Sequence, residues 1–489
     1  MSSDEDRRDL REATLTGVRW VSGARLVAEV SAFASVVVLA RLISPSEFGR
    51  AAVALVFVGV AAILGPRGLT AVIVQRPSLS RREVESATFL CLALGVAASA
   101  ATLVFASSSL AQSVFGERTA DLIAFASPSF LLAGLGGVPQ ALVQRELGFR
   151  RVGVFDAVSV VLGAATGVLL AVSGHDGESL VIGALVLVGA ASLTALASVS
   201  PVFPRPSRRG IRELTGFATP VTLSSLVYLG FRHVDYVILG AGMPPAQVGF
   251  YWRAYQLGVE YQGKISQIML RVSFPVYSRA NDLDELKQLR LRIVRTHATV
   301  IVPLLAGFIA VAPILIPWLF GDAWEPAVLP AQILAVAGMA EAMTTGVGPL
   351  IVALGRPGLL LAWNVVELAA YALLVALLAQ YGLTWVSIGV AVYTVASALV
   401  TQSVLMPLVI DLGIADFWRD IRAGVVTAAV ALPLLVGERM LLEALGVPTL
   451  PLLALLGIVG TAVYVAVLRL LFGDVWADLV VLRRRVFGA

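Results

Sequence analysis

Six polar residues, Arg253, Gln256, Glu260, Lys264, Gln267 and Arg271, follow one another at spacings of 3, 4, 4, 3 and 4. At about 100° per residue, such a run falls on one narrow face of a helix. The segment that holds them, 246–273, is otherwise apolar and long enough to cross a bilayer. An ionisable group at bilayer depth costs about 2.5–3.5 kcal/mol on insertion scales, so it faces a partner or a wet cavity. As the wall of a water-filled lumen, this face offers Arg253 and Lys264 to an anionic ligand and Gln256 and Gln267 as hydrogen-bonding groups. As packing, Glu260 and Lys264 are an i,i+4 ion pair that neutralises itself.

Other intramembrane charges have the same two readings. Arg25 shares a helix face with Ser22 and Glu29; it is either a ligand-binding cation or the partner of Glu29, four residues on. Arg232 shares an arc with Ser225, Tyr228 and Asp235, and Asp235 is three residues away. Arg67 follows Gly65-Pro66, where a proline kink frees backbone groups and permits a bent, gating helix. An arginine reaching to the membrane surface explains it equally well. Glu341 and Glu367 lie mid-span, either as ion or proton sites or as capped acids between helices. Glu29, Arg67, Glu260, Glu341 and Glu367 are therefore candidates for gating or coupling. Arg25, Arg232, Arg253, Lys264, Gln256 and Gln267 are candidates for substrate binding.

Chemistry of other kinds finds no support. Gly258-Val-Glu-Tyr-Gln-Gly263-Lys264 has the spacing of a phosphate-binding loop, but Ile265 stands where the magnesium-binding hydroxyl belongs, and the segment lies inside a span. Gly163-Ala-Ala-Thr-Gly167 reads as small-residue helix packing. The single cysteine, Cys91, excludes an intrachain disulfide framework, and His175, His233 and His297 match no zinc spacing. No catalytic constellation, metal site or cofactor site is expected, and the chain reads as a non-enzyme.

The elements that position these residues are membrane spans. Of 489 residues, 58% are hydrophobic and 14% charged, with a mean hydropathy of +0.88. Soluble domains are about half apolar and about a quarter charged. Spanning runs fall at 16–42, 47–74, 84–108, 121–143, 153–173, 179–203, 214–240, 246–273, 296–320, 327–354, 359–380, 384–410, 422–442 and 449–472, about 14 in all. The expected fold class is all-α and polytopic.

The net charge of +4 does not point to nucleic acid, because the basic residues fall in loops between spans. Arg7, Arg8, Arg76, Arg81, Arg145, Arg151, Arg208, Lys287, Arg295, Arg356, Arg419 and Arg483 lie in alternate loops. The intervening loops are nearly bare, with Arg50, Arg118 and Arg439 as the main exceptions. This alternation places both termini in the cytoplasm. Leu283, Leu286, Leu289, Ile293 and Val294 recur at helical spacing among charges, which predicts an amphipathic helix on the cytoplasmic surface near 282–295.

A weak internal repeat runs through the chain. Ser44-Pro-Ser-Glu-Phe-Gly49 and Pro244-Pro-Ala-Gln-Val-Gly249 share a Pro-x-x-x-Gly turn. Gly137-Val-Pro139 in span 4 answers Val347-Gly-Pro349 in span 10. Two six-helix lobes, 1–205 and 206–415, and two further spans within 416–489 account for it. Such repeats are common in secondary transporters.

The segments Ala40-Arg-Leu-Ile-Ser-Pro-Ser-Glu-Phe-Gly49, Leu69-Thr-Ala-Val-Ile-Val-Gln-Arg76 and Val138-Pro-Gln-Ala-Leu-Val-Gln-Arg145 resemble polysaccharide flippases of the Wzx type. So do Val234-Asp-Tyr-Val-Ile-Leu239, Val248-Gly-Phe-Tyr251, Leu319-Phe-Gly-Asp-Ala-Trp324 and Leu354-Gly-Arg-Pro357. The resemblance is greatest to the branch of teichuronic-acid and colanic-acid exporters and covers about nine-tenths of the chain, in order. It implies membership of the multidrug, oligosaccharidyl-lipid and polysaccharide exporter superfamily, with a V-shaped two-lobed fold and ATP-independent alternating access. The implied substrate is an anionic polyprenyl-phosphate- or polyprenyl-diphosphate-linked oligosaccharide, carried across the cytoplasmic membrane among membrane lipids. The implied setting includes glycosyltransferases and a polysaccharide polymerase, and a monomer is expected.

A multidrug or cation antiporter and a lipid II flippase are alternatives on the same fold. An integral-membrane glycosyltransferase or polymerase is the alternative of another class, but it would need a large outer loop with catalytic residues. The excess of Arg and Lys among the intramembrane charges favours an anionic headgroup over a cationic drug.

The loop charges make a topological prediction. Reporter fusions after Arg212, Arg295 and Ala489 should read cytoplasmic, and fusions after His175 and Asp322 external. An external reading after Ala489 would break the even span count.

Overall fold

The computed structural model describes residues 23, 25–64, 66–76, 78–146, 149–266, 282–478 and 480, the side chains of Phe149, Arg150, Val152 and Phe217 aside. Among the described residues the chain is helical, without strands. Among the described residues, eleven helices are long and apolar enough to cross a membrane, or 12 if the bent pair Arg208–Gly216 and Ala218–Gly242 is one span. Two of the expected spans, 16–42 and 246–273, run into residues outside that description.

Several spans are built differently from the uniform helices that hydropathy suggests. The second consists of α1 (Pro45–Leu64) and α2 (Pro66–Gln75). Proline lacks the N–H that would continue the ladder, which makes Pro66 a natural helix start. The third span is α3 (Arg81–Ala106), opened by Ser80 in a capping box with Glu83. The fourth divides into α4 (Glu117–Ala126) and α5 (Pro128–Arg145). Then come α6 (Phe149–Val172), α7 (Asp176–Leu196), α8 (Arg208–Gly242) and α9 (Pro245–Tyr255).

The region expected to hold a separate amphipathic surface helix instead begins α10 (Leu283–Phe320), a 38-residue helix continuous with the ninth span. Its N-cap is Asp282, whose side chain accepts from the Glu285 N–H at 2.7 Å. Most of its apolar residues are covered by protein: Leu286 is buried with Leu350, Ile351 and Met406, Leu289 and Ile293 pack on the same cluster, and Val294 is buried with Ala298 and Phe417, while Leu283 remains exposed. A periodic apolar face reports burial, and the sequence does not say against what. The tenth span breaks between α11 (Val328–Thr344) and α12 (Val347–Ala353) at Gly346, whose φ is +88°. The remaining spans are α13 (Pro357–Leu378), α14 (Leu383–Val400), α15 (Ile414–Ala444) and α16 (Thr449–Leu471).

The chain forms two compact units, 1–249 and 250–489. In the first, α8 packs on α1 and α2. The close approach is set by small residues: a Cβ on Gly68 would lie 2.2 Å from the Ala218 carbonyl oxygen. The two Pro-x-x-x-Gly turns of the repeat meet in this unit. A Cβ on Gly49 would stand 1.9 Å from the Pro245 oxygen, and one on Gly249 would stand 2.0 Å from the Pro45 oxygen. Four-residue spacing puts Pro and Gly on one face of a first helical turn, so each turn offers the other a carbonyl and a missing side chain.

The basic residues that interrupt the bare loops are satisfied locally. Glu47 is buried and receives Arg50, Arg118 (3.3 Å) and the Gly177 N–H (3.2 Å). Arg118 also grips Glu178 at 2.5 and 2.7 Å. Arg439 donates to the Ala310 oxygen at 3.2 Å. Those three arginines are thus explained by pairing within the bundle.

The Gly49–Gly249 approach predicts that Gly49→Val and Gly249→Val each destabilise the protein by about 1–3 kcal/mol, the usual cost of overpacking. Gly59→Val, beside flexible Leu229 atoms at 3.5 Å and beyond, should cost less. Melting temperatures in detergent check the order.

Candidate functional site

In the second unit, α9 leads into a π-helical turn, Gln256–Glu260, closed by the Tyr261 N–H on the Gln256 oxygen. A π turn departs from the 3.6-residue period on which a single polar face depends. The stripe is accordingly graded. Arg253 is 1% exposed, Gln256 and Glu260 are half-buried, and Lys264 is exposed with its Nζ 5.4 Å from the Tyr261 ring centroid. Gln267 and Arg271, the remaining members, lie outside the described residues. The phosphate-loop spacing at 258–264 is helical throughout.

Arg253 is therefore not presented on an open wall in this structure. Its guanidinium carbon lies 4.8 Å from the Phe320 ring centroid and 5.2 Å from that of Trp324, and Nη1 donates to Gln256 Oε1 at 2.5 Å. Trp324 is completely buried and meets Phe320 edge-on at 6.3 Å. The segment Leu319-Phe-Gly-Asp-Ala-Trp324 builds this aromatic box, with Gly321 at φ +96° making the turn out of α10. Helical spacing could not reveal it, because the box comes from a segment some 70 residues away in sequence.

The π turn rests against α11 without side chains between them. A Cβ on Gly258 would meet the Ala335 nitrogen at 2.8 Å, and one on Gly338 would meet the Gly258 oxygen at 2.0 Å. Glu341, one turn beyond Gly338, is half-buried, and its carbonyl accepts from the Thr344 and Thr345 hydroxyls at 2.9 and 3.3 Å. Beside the helix break, Arg290 is fully buried and donates to the carbonyls of Thr345 (2.7 Å) and Met343 (3.0 Å). Glu367 on α13 takes the capped arrangement. Its Oε1 accepts from Ser397 of α14 at 2.6 Å, and its carbonyl accepts from the Tyr393 hydroxyl at 2.9 Å.

In the first unit, Arg25 and Glu29 are both exposed on a helical stretch covering 25–42. Arg25 acts electrostatically on Asp156 of α6, a carboxylate that the sequence reading passed over. Asp156 lines a pocket with Gln140, Gln144 and Phe155 between α5, α6 and α7. The available signal was the Gln-x-x-x-Gln spacing inside an apolar span, which places both amides on one helix face. Arg67 is exposed on the first turn of α2, and Arg232 is half-buried on α8 near the fully buried Asp235. Asp235 Oδ1 accepts from the Tyr236 N–H at 2.9 Å. Arg67 and Arg232 are not among the residues that line the pocket.

This is the architecture of a multi-pass helical membrane protein. The fold matches a lipid II flippase, MurJ, in an inward closed conformation: TM-score 0.74 at 12% identity, covering 93% of this chain and 99% of that one. It also matches an inward-facing multidrug resistance MATE family transporter of the MOP superfamily: TM-score 0.57 at 16% identity, covering 76% and 92%.

The chain belongs to the polysaccharide biosynthesis protein family, which it matches over residues 38–329. The lipopolysaccharide biosynthesis protein WzxC of Escherichia coli is 28% identical over 368 residues, 73% of each chain. The teichuronic acid biosynthesis protein TuaB of Bacillus subtilis is 23% identical over 429 residues, 86% of this chain and 87% of its own. The succinoglycan biosynthesis transport protein ExoT of Rhizobium meliloti is 27% identical over 342 residues, 69% of each.

The graded stripe separates its two cations by experiment. Arg253→Ala should lower the detergent melting temperature, because a desolvated cation–π contact is worth about 2 kcal/mol or more. Lys264→Ala should leave the melting temperature unchanged. Equal losses in both variants would contradict the difference in burial.

Proposed function

We propose that this protein carries polyprenyl-phosphate- or polyprenyl-diphosphate-linked oligosaccharide units from the cytoplasmic to the outer leaflet of the cytoplasmic membrane. The observation that carries this reading is the polysaccharide biosynthesis family match over 38–329, together with relatives named for lipopolysaccharide, teichuronic acid and succinoglycan biosynthesis. The chain is a transporter, not an enzyme.

Exposed Arg25 and Lys264 support the same substrate class, because a phosphate-bearing headgroup needs cations that a ligand can reach. Half-buried Gln256 and Glu260, on the same helix, are the polar groups proposed to act with Lys264. Glu341, at the α11–α12 break, and the capped Glu367 are the groups proposed for coupling. The basic loops support an orientation with both termini cytoplasmic. Transport is driven by an ion gradient or the membrane potential, the latter supplying about 2.3 kcal/mol per charge per 100 mV.

The test is reconstitution. Proteoliposomes should move a fluorescent undecaprenyl-diphosphate disaccharide between leaflets when a potential is imposed, without ATP. Lys264→Ala should reduce the rate about tenfold or more, in line with the loss of a charged hydrogen bond. ATP-dependent movement with all gradients collapsed would overturn the proposed energetics. No movement of any lipid-linked sugar would overturn the function.

A further inference from the structure

The pocket of the first unit has a composition that phosphate recognition does not explain. On one side are two carboxamides, Gln140 and Gln144, a helical turn apart on α5. Val143 lies between them on the same helix, half-buried Phe155 and exposed Asp156 line it from α6, and Ala191 and Ala195 line it from α7. Among the described residues, no hydrogen bond engages Gln140, Gln144 or Asp156 through its side chain. Buried or half-buried amides in an apolar span ordinarily find partners, so a pair left open on one face is available to a ligand.

The architecture around the pocket keeps it open. Just before it, α5 and α7 come close at a small residue: a Cβ on Gly136 would stand 2.3 Å from Ser192 Oγ, and that hydroxyl donates to the Leu132 oxygen at 2.7 Å. Pro139 then follows, which cannot donate to the Leu135 carbonyl. Beyond this fixed point the facing residues on α7 are alanines, and small side chains leave room that the glutamines do not fill.

We propose that this pocket is a subsite for a hydroxylated sugar ring, the sugar nearest the phosphate of the lipid-linked substrate. The inference rests on the function proposed above. A pyranose offers adjacent hydroxyls that both donate and accept, and a carboxamide answers both roles while a carboxylate accepts. Its C–H face lies on an aromatic ring, here Phe155. The placement of Arg25 matches the order of groups in such a substrate. The phosphate is bonded directly to the anomeric carbon, and Arg25 acts electrostatically on Asp156, one of the residues that line the pocket. Gln140 and Gln144 thus determine sugar recognition, and Arg25 holds the adjoining phosphate.

Two measurements on the full-length protein in nanodiscs and liposomes test this. Saturation-transfer NMR with a panel of methyl pyranosides should show transfer to ring protons in the wild type. The signal should fall about tenfold in Gln140→Leu/Gln144→Leu, the scale expected for losing one or two hydrogen bonds. Phe155→Leu should reduce it while preserving the melting temperature. In liposomes, the double variant should slow movement of undecaprenyl-diphosphate disaccharide while leaving sugar-free undecaprenyl diphosphate unaffected.

Equal slowing of both lipids, or pyranoside signals unchanged by the substitutions, would overturn the subsite. Absence of a signal from every pyranoside in the wild type would overturn it as well. A wild type that binds pyranosides through these residues but moves neither lipid would overturn the transport function and leave the sugar subsite standing.

Discussion

A guanidinium group inside an apolar helical bundle must be met by the bundle itself. Water is not there to solvate it, and a charge left alone at that depth is expensive. Much of this protein's architecture follows from that requirement. Arg145 donates to the Ile73 and Arg76 carbonyls at 2.6 and 2.5 Å, closing the end of α2. Arg290 does the same for the end of α11. Both use a cation to satisfy carbonyls that a helix terminus leaves without partners, at the end where the helix dipole favours positive charge. Arg118 instead takes two carboxylates, and Arg253 takes aromatic faces. The same side chain thus fastens helices in three chemically different ways.

Close backbone approach is the second device. Glycines at 49 and 249, and at 258 and 338, let helices touch through carbonyl oxygens with no side chain between them. In lipid, where apolar surface gains nothing from leaving its solvent, such fitted contacts carry much of the association energy. Their distribution gives the bundle fixed points. Between those points, two half-buried amides line the pocket beyond Gly136, and Lys264 is exposed beyond the Gly258 contact.

The membrane class, the positions of most spans and the family were legible in the sequence, because hydropathy over about 20 residues and ordered motifs are local properties. The presence of a polar stripe on 253–264 was legible for the same reason. What the stripe does was not. An α-helical period assigns every member to one environment, whereas the π turn at 256–260 and the ring pair Phe320 and Trp324 bury Arg253 and leave Lys264 exposed. The residues near 282–295 give a similar lesson: their amphipathic pattern fixed a helix and an apolar face, and the packing of Leu286 against Leu350 and Met406 decided that protein covers it.

By itself, the sequence determined that the chain is a helical membrane exporter of the polysaccharide biosynthesis family with several basic residues inside its apolar spans. Only the tertiary structure decided which of those charges are buried and which are exposed. The reason is physical. Periodicity along one helix specifies the direction a side chain leaves the axis, but its solvation is set by whatever a neighbouring helix places there. For Arg253 that neighbour is an aromatic box from a distant loop, for Glu367 it is a serine hydroxyl, and for Gln140 and Gln144 it is two alanines that leave the amides open.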